Sequence, residues 1–281
     1  MIKKEKVLPF ITAALDEDIR EGDHSSLACI PKDTEGRAQL LIKEDGIIAG
    51  IHLAEWIFEI VDPKIKMLNR IQDGDQVRKG AIAFTVEGPS TSLLTAERLV
   101  LNCMQRMSAI ATKTRDYMKL IEGTKTTILD TRKTTPGMRI IEKWAVRIGG
   151  GANHRFGLYD MIMLKDNHID FAGGIPKAIT KVKKYLKNKN LDLRIEVEAR
   201  NISEVKEIVS LGGIHRIMLD NFTPSETKEA VQFINGTFET ESSGGITSDT
   251  IRAYAECGVD FISVGALTHS INNMDLSLKA Y

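Results

Sequence analysis

Basic residues gather in the middle of the chain. Between positions 125 and 168 there are eight Lys/Arg against four Asp/Glu, a net of +4, and His154 and His168 could add to it. Arg132 and Lys133 follow TTILDT, and Lys165 closes MIML. Clustered Arg and Lys suit carboxylates or phosphates, and an Arg can hold a carboxylate through two parallel bonds. Between 191 and 220 the balance reverses to four Lys/Arg against six Asp/Glu, a net of −2 that includes Glu196, Glu198 and Asp220. Such carboxylates, with no His pair or Cys beside them, suit a hard ion such as Mg²⁺ shared with a phosphate-bearing substrate. Ser243-Gly244-Gly245 and Ser263-Val264-Gly265 follow further on. Small turns of this kind let backbone N–H groups approach a phosphate, and the next helix N-terminus favours anions. The combination describes a ligand with carboxylates at one end and a Mg²⁺-bound phosphate at the other.

These residues need elements that bring them together. The pattern from residue 126 predicts strands at TTILD (126–130), YDMIMLKD (159–166), LRIEVEA (193–199), HRIMLD (215–220), TFETESS (237–243) and VDFISVG (259–265), each of the first five followed by a helix. The strands read as near-continuous apolar runs, as buried parallel strands do. This alternation predicts an open or incomplete β/α barrel, with a doubly wound sheet as the alternative. No G-x-G-x-x-G follows the first strand, which counts against dinucleotide binding. In a barrel the carboxyl ends of all the strands converge on one face, where the site is expected. Glu196 and Glu198 alternate with Ile195 and Val197 and so share one face of their strand. An inward carboxylate pair needs cations, so an outward-facing pair is the competing reading, as is one Glu serving as ligand and the other as support. Asp220 could merely cap a turn, and Lys165 could form a rim salt bridge. His24, His52, His215 and His269 have no partner pattern and read as structural.

Upstream of about residue 95 the texture differs. Short extended segments, RAQLLIKEDGIIAG, KIKMLNRIQDGDQV and AIAFTVEG, alternate with turn signals at Asp45-Gly46 and Asp73-Gly74. GDQVRKGAIAFTVEG resembles the strand–turn–strand pattern of lipoyl- and biotinyl-type sandwich domains in architecture alone, for their modified-lysine motif is missing. A helix is predicted from about Thr95 to Glu122, with Leu99, Cys103, Met107, Ile110 and Met118 on its buried stripe.

Composition narrows the function classes. The chain has 281 residues, with 38 Lys+Arg against 38 Asp+Glu, and this neutrality argues against a general binder of nucleic acid or other polyanions. No apolar run approaches a membrane span, and the charged N-terminus does not read as a signal peptide. Cys29, Cys103 and Cys257 are scattered and include no C-x-x-C pair, which fits a reducing cytoplasm better than a disulfide framework or thiolate zinc site.

DTRKTTPGMR followed by GGGANHRFGLYDMIMLKDNHI resembles the quinolinate phosphoribosyltransferases, also called carboxylating nicotinate-nucleotide pyrophosphorylases. ERLVLNCMQRMSAIAT, IEVEARN, IMLDN, SSGGI and VDFISVGALTHS extend the likeness over essentially the whole chain. The resemblance implies an N-terminal α/β sandwich-like domain over 1–106, an open β/α barrel over 107–270, and a segment 271–281 that returns to the first domain. It implies transfer of phosphoribosyl from phosphoribosyl pyrophosphate to quinolinate, with Mg²⁺, giving nicotinate mononucleotide, pyrophosphate and CO₂ in de novo NAD synthesis. On the matching positions, Arg132, His154, Arg155 and Lys165 would line the quinolinate pocket. Thr131 would line the substrate site beside Arg132, and Lys133 would contact pyrophosphate or phosphate. Glu198 and Asp220 would lie near the ribose and Mg²⁺, and the turns at Ser243, Gly244 and Gly245 and at Ser263, Val264 and Gly265 would hold the 5-phosphate. Lys133, Glu198 and Asp220 are the expected catalytic groups. Arg98 would reach into a neighbouring subunit's site, which makes the protein at least a homodimer. Where the family continues IEVE with another apolar or acidic pair, this chain has Ala199-Arg200, so the choice between Glu196 and Glu198 stays open. The competing readings are a paralogue using another aromatic acid such as nicotinate, and a non-catalytic barrel that senses a phosphorylated metabolite. The second would not need the cationic and acidic sets together.

Overall fold

A computed structural model describes residues 2–281. The chain forms two compact units. One comprises residues up to Arg115, Lys133–Gly150 and Ala266–Tyr281; the other comprises Asp116–Arg132 and Gly151–Gly265.

In the first unit, strands β1 (Glu35–Ile42), β2 (Gly46–Ile47), β3 (Lys66–Leu68), β4 (Gln76–Val77) and β5 (Ile82–Pro89) follow one another. The C-terminal strand Leu276–Ala280, β1, β5 and β3 lie side by side in that order, all antiparallel, while β2 pairs with β4. In β1 Ala38, Leu40 and Ile42 are buried, the period-2 pattern of a half-buried strand. Phe84 of β5 meets Phe58 edge-on at 6.1 Å.

Phe58 belongs to a helix, Ile51–Val61, within a stretch that the turn-rich sequence makes look wholly extended. Asp73 explains the difference. Instead of marking a hairpin, its carboxylate accepts from the N–H groups of Gly50 (2.6 Å) and Ile51 (2.8 Å), and it pairs with the His52 ring at 2.9 Å. A carboxylate from a remote loop thus does the capping that a local Asp or Ser ordinarily does. Two N-terminal helices, Lys4–Ile19 and His24–Cys29, are likewise not apparent in the pattern; the first buries only Val7 and Ile11. The predicted long helix runs from Ser90 to Leu120. Leu99, Cys103, Met107 and Ile110 are buried on it as expected, but Met118 is half-buried and Tyr117 takes the inward position.

The second unit holds β6 (Thr127–Leu129), β7 (Ile162–Leu164), β8 (Ile195–Ala199), β9 (Arg216–Asp220), β10 (Glu239–Ser243) and β11 (Phe261–Ser263). They form one parallel sheet in the order β6-β11-β10-β9-β8-β7. β6 and β7 are its two edges, so the barrel is open. The strand β7 is shorter than predicted because Asp160 ends a turn: its carboxylate accepts from the N–H groups of Phe156 (2.7 Å) and Gly157 (2.9 Å). The helix Arg139–Ile148, expected between the first two barrel strands, falls in the other compact unit.

One face of β8 and of β9 is apolar as expected, with Val197, Ala199, Ile217 and Leu219 wholly buried, whereas β10 buries Thr240 and Ser242 and carries no apolar residue. The opposite face of the sheet is not apolar. Register places Arg216 of β9 beside Glu196 of β8 and Glu239 of β10. The Arg216 guanidinium donates to Glu239 at 3.0 Å and to Glu241 at 2.7 Å, and it lies 4.0 Å from the Phe261 ring centroid. The apolar-run reading of these strands therefore holds for one face at most, and the inner face is a mutually neutralising set of charges.

Candidate active site

The carboxyl ends of the six strands carry most of the candidate residues. The buried Asp130 follows β6. It accepts from Asn153 Nδ2 at 2.6 Å and from the His154 N–H at 2.9 Å. A parallel bridge between Leu129 and Ala152 adds to this, so the glycine-rich stretch before His154 is pinned along the edge of β6. Thr131 and Arg132 come next in the chain after Asp130, Thr131 half-buried and Arg132 exposed.

His154 is almost wholly buried. Its Nδ1 accepts the Arg155 N–H at 2.7 Å, and its Nε2 lies 2.9 Å from Glu196. The Arg155 guanidinium donates to the Met161 carbonyl at 3.3 Å. Burial holds its affinity for a proton below the usual arginine range; Arg132, as a like charge, adds to this, while Glu196 and Asp160 oppose it. Arg132 and Arg155 thus form a repelling cation pair, as a receptor for a dianion should.

At the end of β7, Lys165 Nζ lies 3.4 Å from Glu198, whose other oxygen accepts the Asp166 N–H at 3.4 Å. Glu196 meets His154 and Glu198 meets Lys165, so the inward reading of the pair is the correct one. Their environments differ. Glu196 faces the buried charges of the inner wall, and Glu198 faces Lys165 at the strand ends. Burial raises the Glu198 pKa, Lys165 pulls it down, and Asp220 pushes it up again. Asp220 ends β9 and accepts from Asn221 Nδ2 at 2.7 Å.

Asn221 sits at φ 57°, and its N–H donates to the Ser243 carbonyl at 2.9 Å. Gly244 and Gly245 follow at φ 97° and 60°, where side chains are disfavoured. A Cβ on Gly244 would stand 2.2 Å from Asn221 Oδ1 and 2.8 Å from its backbone nitrogen. The neighbouring strand β11 ends at Ser263 and is followed by Val264 and Gly265, with the Val264 N–H donating to the Leu129 carbonyl at 2.9 Å. The second unit therefore carries Thr131, Arg132, His154, Arg155, Lys165, Glu198, Asp220 and both small turns along one set of strand ends.

Lys133 and Arg98 belong to the other unit. The Lys133 carbonyl accepts the Thr268 hydroxyl at 2.9 Å. The side chain of Arg98 is 61% exposed on the helix Ser90–Leu120, 4.0 Å from Glu97. Three groups went unrecognised in the sequence: Asp130 as an anchor, and Glu241 and Arg216 as inner-wall charges. The alternation of Glu239 and Glu241 in ETESS is the signal that could have found the last two.

The molecule closely matches known proteins. The quinolinate phosphoribosyl transferase N-terminal domain family matches residues 23–108, and the C-terminal domain family matches residues 110–279. Quinolinate phosphoribosyltransferase [decarboxylating] 1b of Nicotiana tabacum is 49% identical over 96% of this chain and 81% of its own. The probable nicotinate-nucleotide pyrophosphorylase [carboxylating] of Bacillus subtilis (strain 168) is 39% identical over 93% of this chain and 89% of its own. Among solved structures, NadC from Streptococcus pyogenes superposes with a TM-score of 0.93 at 36% identity, covering 99% of this chain and 97% of its own. Nicotinate-nucleotide pyrophosphorylase from Francisella tularensis gives 0.91 at 39% identity, over 100% and 98%. Sequence, fold and the arrangement of strand ends agree: the chain belongs to the quinolinate phosphoribosyltransferase family.

Proposed function

We infer that this chain transfers phosphoribosyl from phosphoribosyl pyrophosphate to quinolinate and releases pyrophosphate and CO₂, forming nicotinate mononucleotide for NAD synthesis. The observation that carries this reading is the pairing, along the ends of one sheet, of a repelling cation set with two carboxylates and a left-handed glycine turn.

Quinolinate has two adjacent carboxylates; Arg132, Arg155 and Lys165 collect them, and His154 lines the pocket behind these cations. Departure of pyrophosphate builds positive charge at the ribose C1. Glu198 and Asp220 face that charge and stabilise it more in the transition state than in the ground state. The backbone at Ser243, Gly244, Gly245, Ser263, Val264 and Gly265 holds the 5-phosphate, Thr131 borders the site, and Lys133 contacts pyrophosphate or phosphate. Once glycosylated, the pyridine nitrogen is cationic and stabilises the electron pair left on C2 when the 2-carboxylate departs as CO₂; a proton from water then takes up that pair, giving nicotinate mononucleotide. No protein nucleophile takes part.

Glu198 and Asp220 also fit a hard divalent cation. Both are oxygen donors, and Asp220 raises the cost of ionising Glu198, a cost that a cation between them would relieve. Mg²⁺ held there would neutralise the leaving pyrophosphate. Arg98 completes the site of a neighbouring subunit in a homodimer or a larger assembly. The three separate free thiols, Cys29, Cys103 and Cys257, support a cytoplasmic setting. No helix among the described residues is long and apolar enough to cross a membrane.

The test is direct. Purified protein with Mg²⁺ and phosphoribosyl pyrophosphate is given quinolinate or nicotinate, and nucleotide and CO₂ are followed. Equimolar nucleotide and CO₂ from quinolinate are expected. Turnover of nicotinate without turnover of quinolinate would refute the assignment.

A further inference from the structure

Behind the cations of the site lie buried ionisable groups that the reaction above does not use. Glu196 and Glu241 are wholly buried. Nε2 of His154 faces both, at 2.9 Å from Glu196 Oε2 and 3.7 Å from Glu241 Oε1. The second oxygen of Glu241 takes Arg216 at 2.7 Å. Neither oxygen of Glu196 has an aligned hydrogen-bond donor. Buried carboxylates are ordinarily satisfied, so one that is not calls for an explanation.

Three His and Glu side chains this close could hold a metal ion. The far side of the imidazole argues against it. Nδ1 accepts the Arg155 N–H at 2.7 Å and so carries no proton there. A neutral ring then carries its proton on Nε2, the atom that faces the carboxylates. A protonated Nε2 cannot ligate a metal, but it can donate to a carboxylate.

We propose that Glu196, backed by Glu241 and Arg216, is a positioning residue for the aromatic diacid: it holds His154 as the Nε2–H tautomer, leaving Nδ1 to fix the backbone of Arg155. The line of contacts runs from Arg216 through Glu241 and Glu196 to His154, and on to Arg155 at the strand ends. Glu196 adds a second effect, because its charge offsets the repulsion between Arg155 and Arg132. Active-site hydrogen bonds are often poorly aligned until substrate closes around them, and an acceptor without an aligned donor suits that role. The identity of the diacid rests on the function inferred above; the tautomer does not.

Two variants separate the hydrogen bond from mere packing. Glu196→Met keeps the volume and removes the acceptor, whereas Glu196→Gln keeps an acceptor oxygen. E196M should raise the KM for quinolinate about tenfold or more, with the KM for phosphoribosyl pyrophosphate held within about twofold. Both variants remove one charge from the buried neutralising set, so their melting temperatures should fall alike and only the KM for quinolinate should separate them. E196Q should recover most of the lost affinity. Equal rises in both KM values, or stability losses that differ between the variants in step with KM, would give Glu196 a structural role only and overturn the proposal. Imidazole ¹⁵N spectra supply a readout that needs no turnover. His154 should be protonated on Nε2 in the wild type and should show mixed tautomers in E196M. A wild-type ring protonated on Nδ1 would sink the idea even if quinolinate is the substrate, whereas a wild type that ignores quinolinate would leave the tautomer question intact.

Discussion

Gly244 has little freedom to change. Its φ of 97° strains any other residue, and the nearest atoms to an added Cβ belong to Asn221, one of them backbone. Asn221 is itself fixed by the Ser243 carbonyl, so it cannot simply withdraw. Gly244→Ala should therefore distort the turn that receives the 5-phosphate. The expected outcome is a KM for phosphoribosyl pyrophosphate raised about tenfold or more, with a smaller change for quinolinate. Steady-state kinetics in both substrates check this, and an unchanged KM would remove the turn from the ribosyl-phosphate site. At this scale the sequence was most informative where a residue type has few uses. Paired glycines and clustered arginines point to anions in any fold. Glu196 and Glu198 were less legible, because strand alternation shows that two residues share a face but not which face. The structure settles that through partners distant in the chain: His154 for one, Lys165 for the other.

At the scale of elements, the parallel sheet was legible and its inner wall was not. Strands such as RIMLD and IEVEA show their apolar face in a short window. The compensation of Arg216 by Glu239 and Glu241 spans more than 20 positions, and no local pattern reports it. The helix Ile51–Val61 escaped for a related reason, since it owes its start to Asp73, 22 positions away from Ile51. A further carboxylate of this long-range kind makes a stability prediction. Asp260, just before β11, accepts from the Thr240 N–H at 2.9 Å and its hydroxyl at 2.8 Å, and it pairs with Lys125 at 2.8 Å. Burial pushes its pKa up, but Lys125 and Thr240 together pull it further down, below the ordinary 3.8. A carboxyl depressed in the folded state stabilises above its unfolded pKa and loses that contribution as pH falls through the folded value. Wild type should therefore exceed Asp260→Asn in stability at neutral pH, and the gap should close below about pH 4. Urea unfolding at a series of pH values measures it. A gap independent of pH would show that Asp260 acts through shape alone.

At the scale of the whole molecule, the proposed reach of Arg98 into a neighbour's site can be tested by complementation. Arg98→Ala and Arg155→Ala subunits should each be nearly inactive alone. Mixed and reassembled, they should recover activity, because some sites would then contain both arginines. Verified mixed assemblies without recovery would mean that each subunit completes its own site. The first compact unit has another property that bears on how the protein is made. Its sheet is completed by Leu276–Ala280, which pairs with β1 and follows every strand of the other unit in the chain. Domains ordinarily fold in the order of their synthesis. Here the order must partly invert. The parallel sheet can close while the earlier antiparallel one still exposes the edge of β1, and that edge stays open to wrong pairing until the last strand leaves the ribosome. Translation itself thus sets a window of vulnerability, and in crowded cells a chaperone's most useful service to this chain would fall within it.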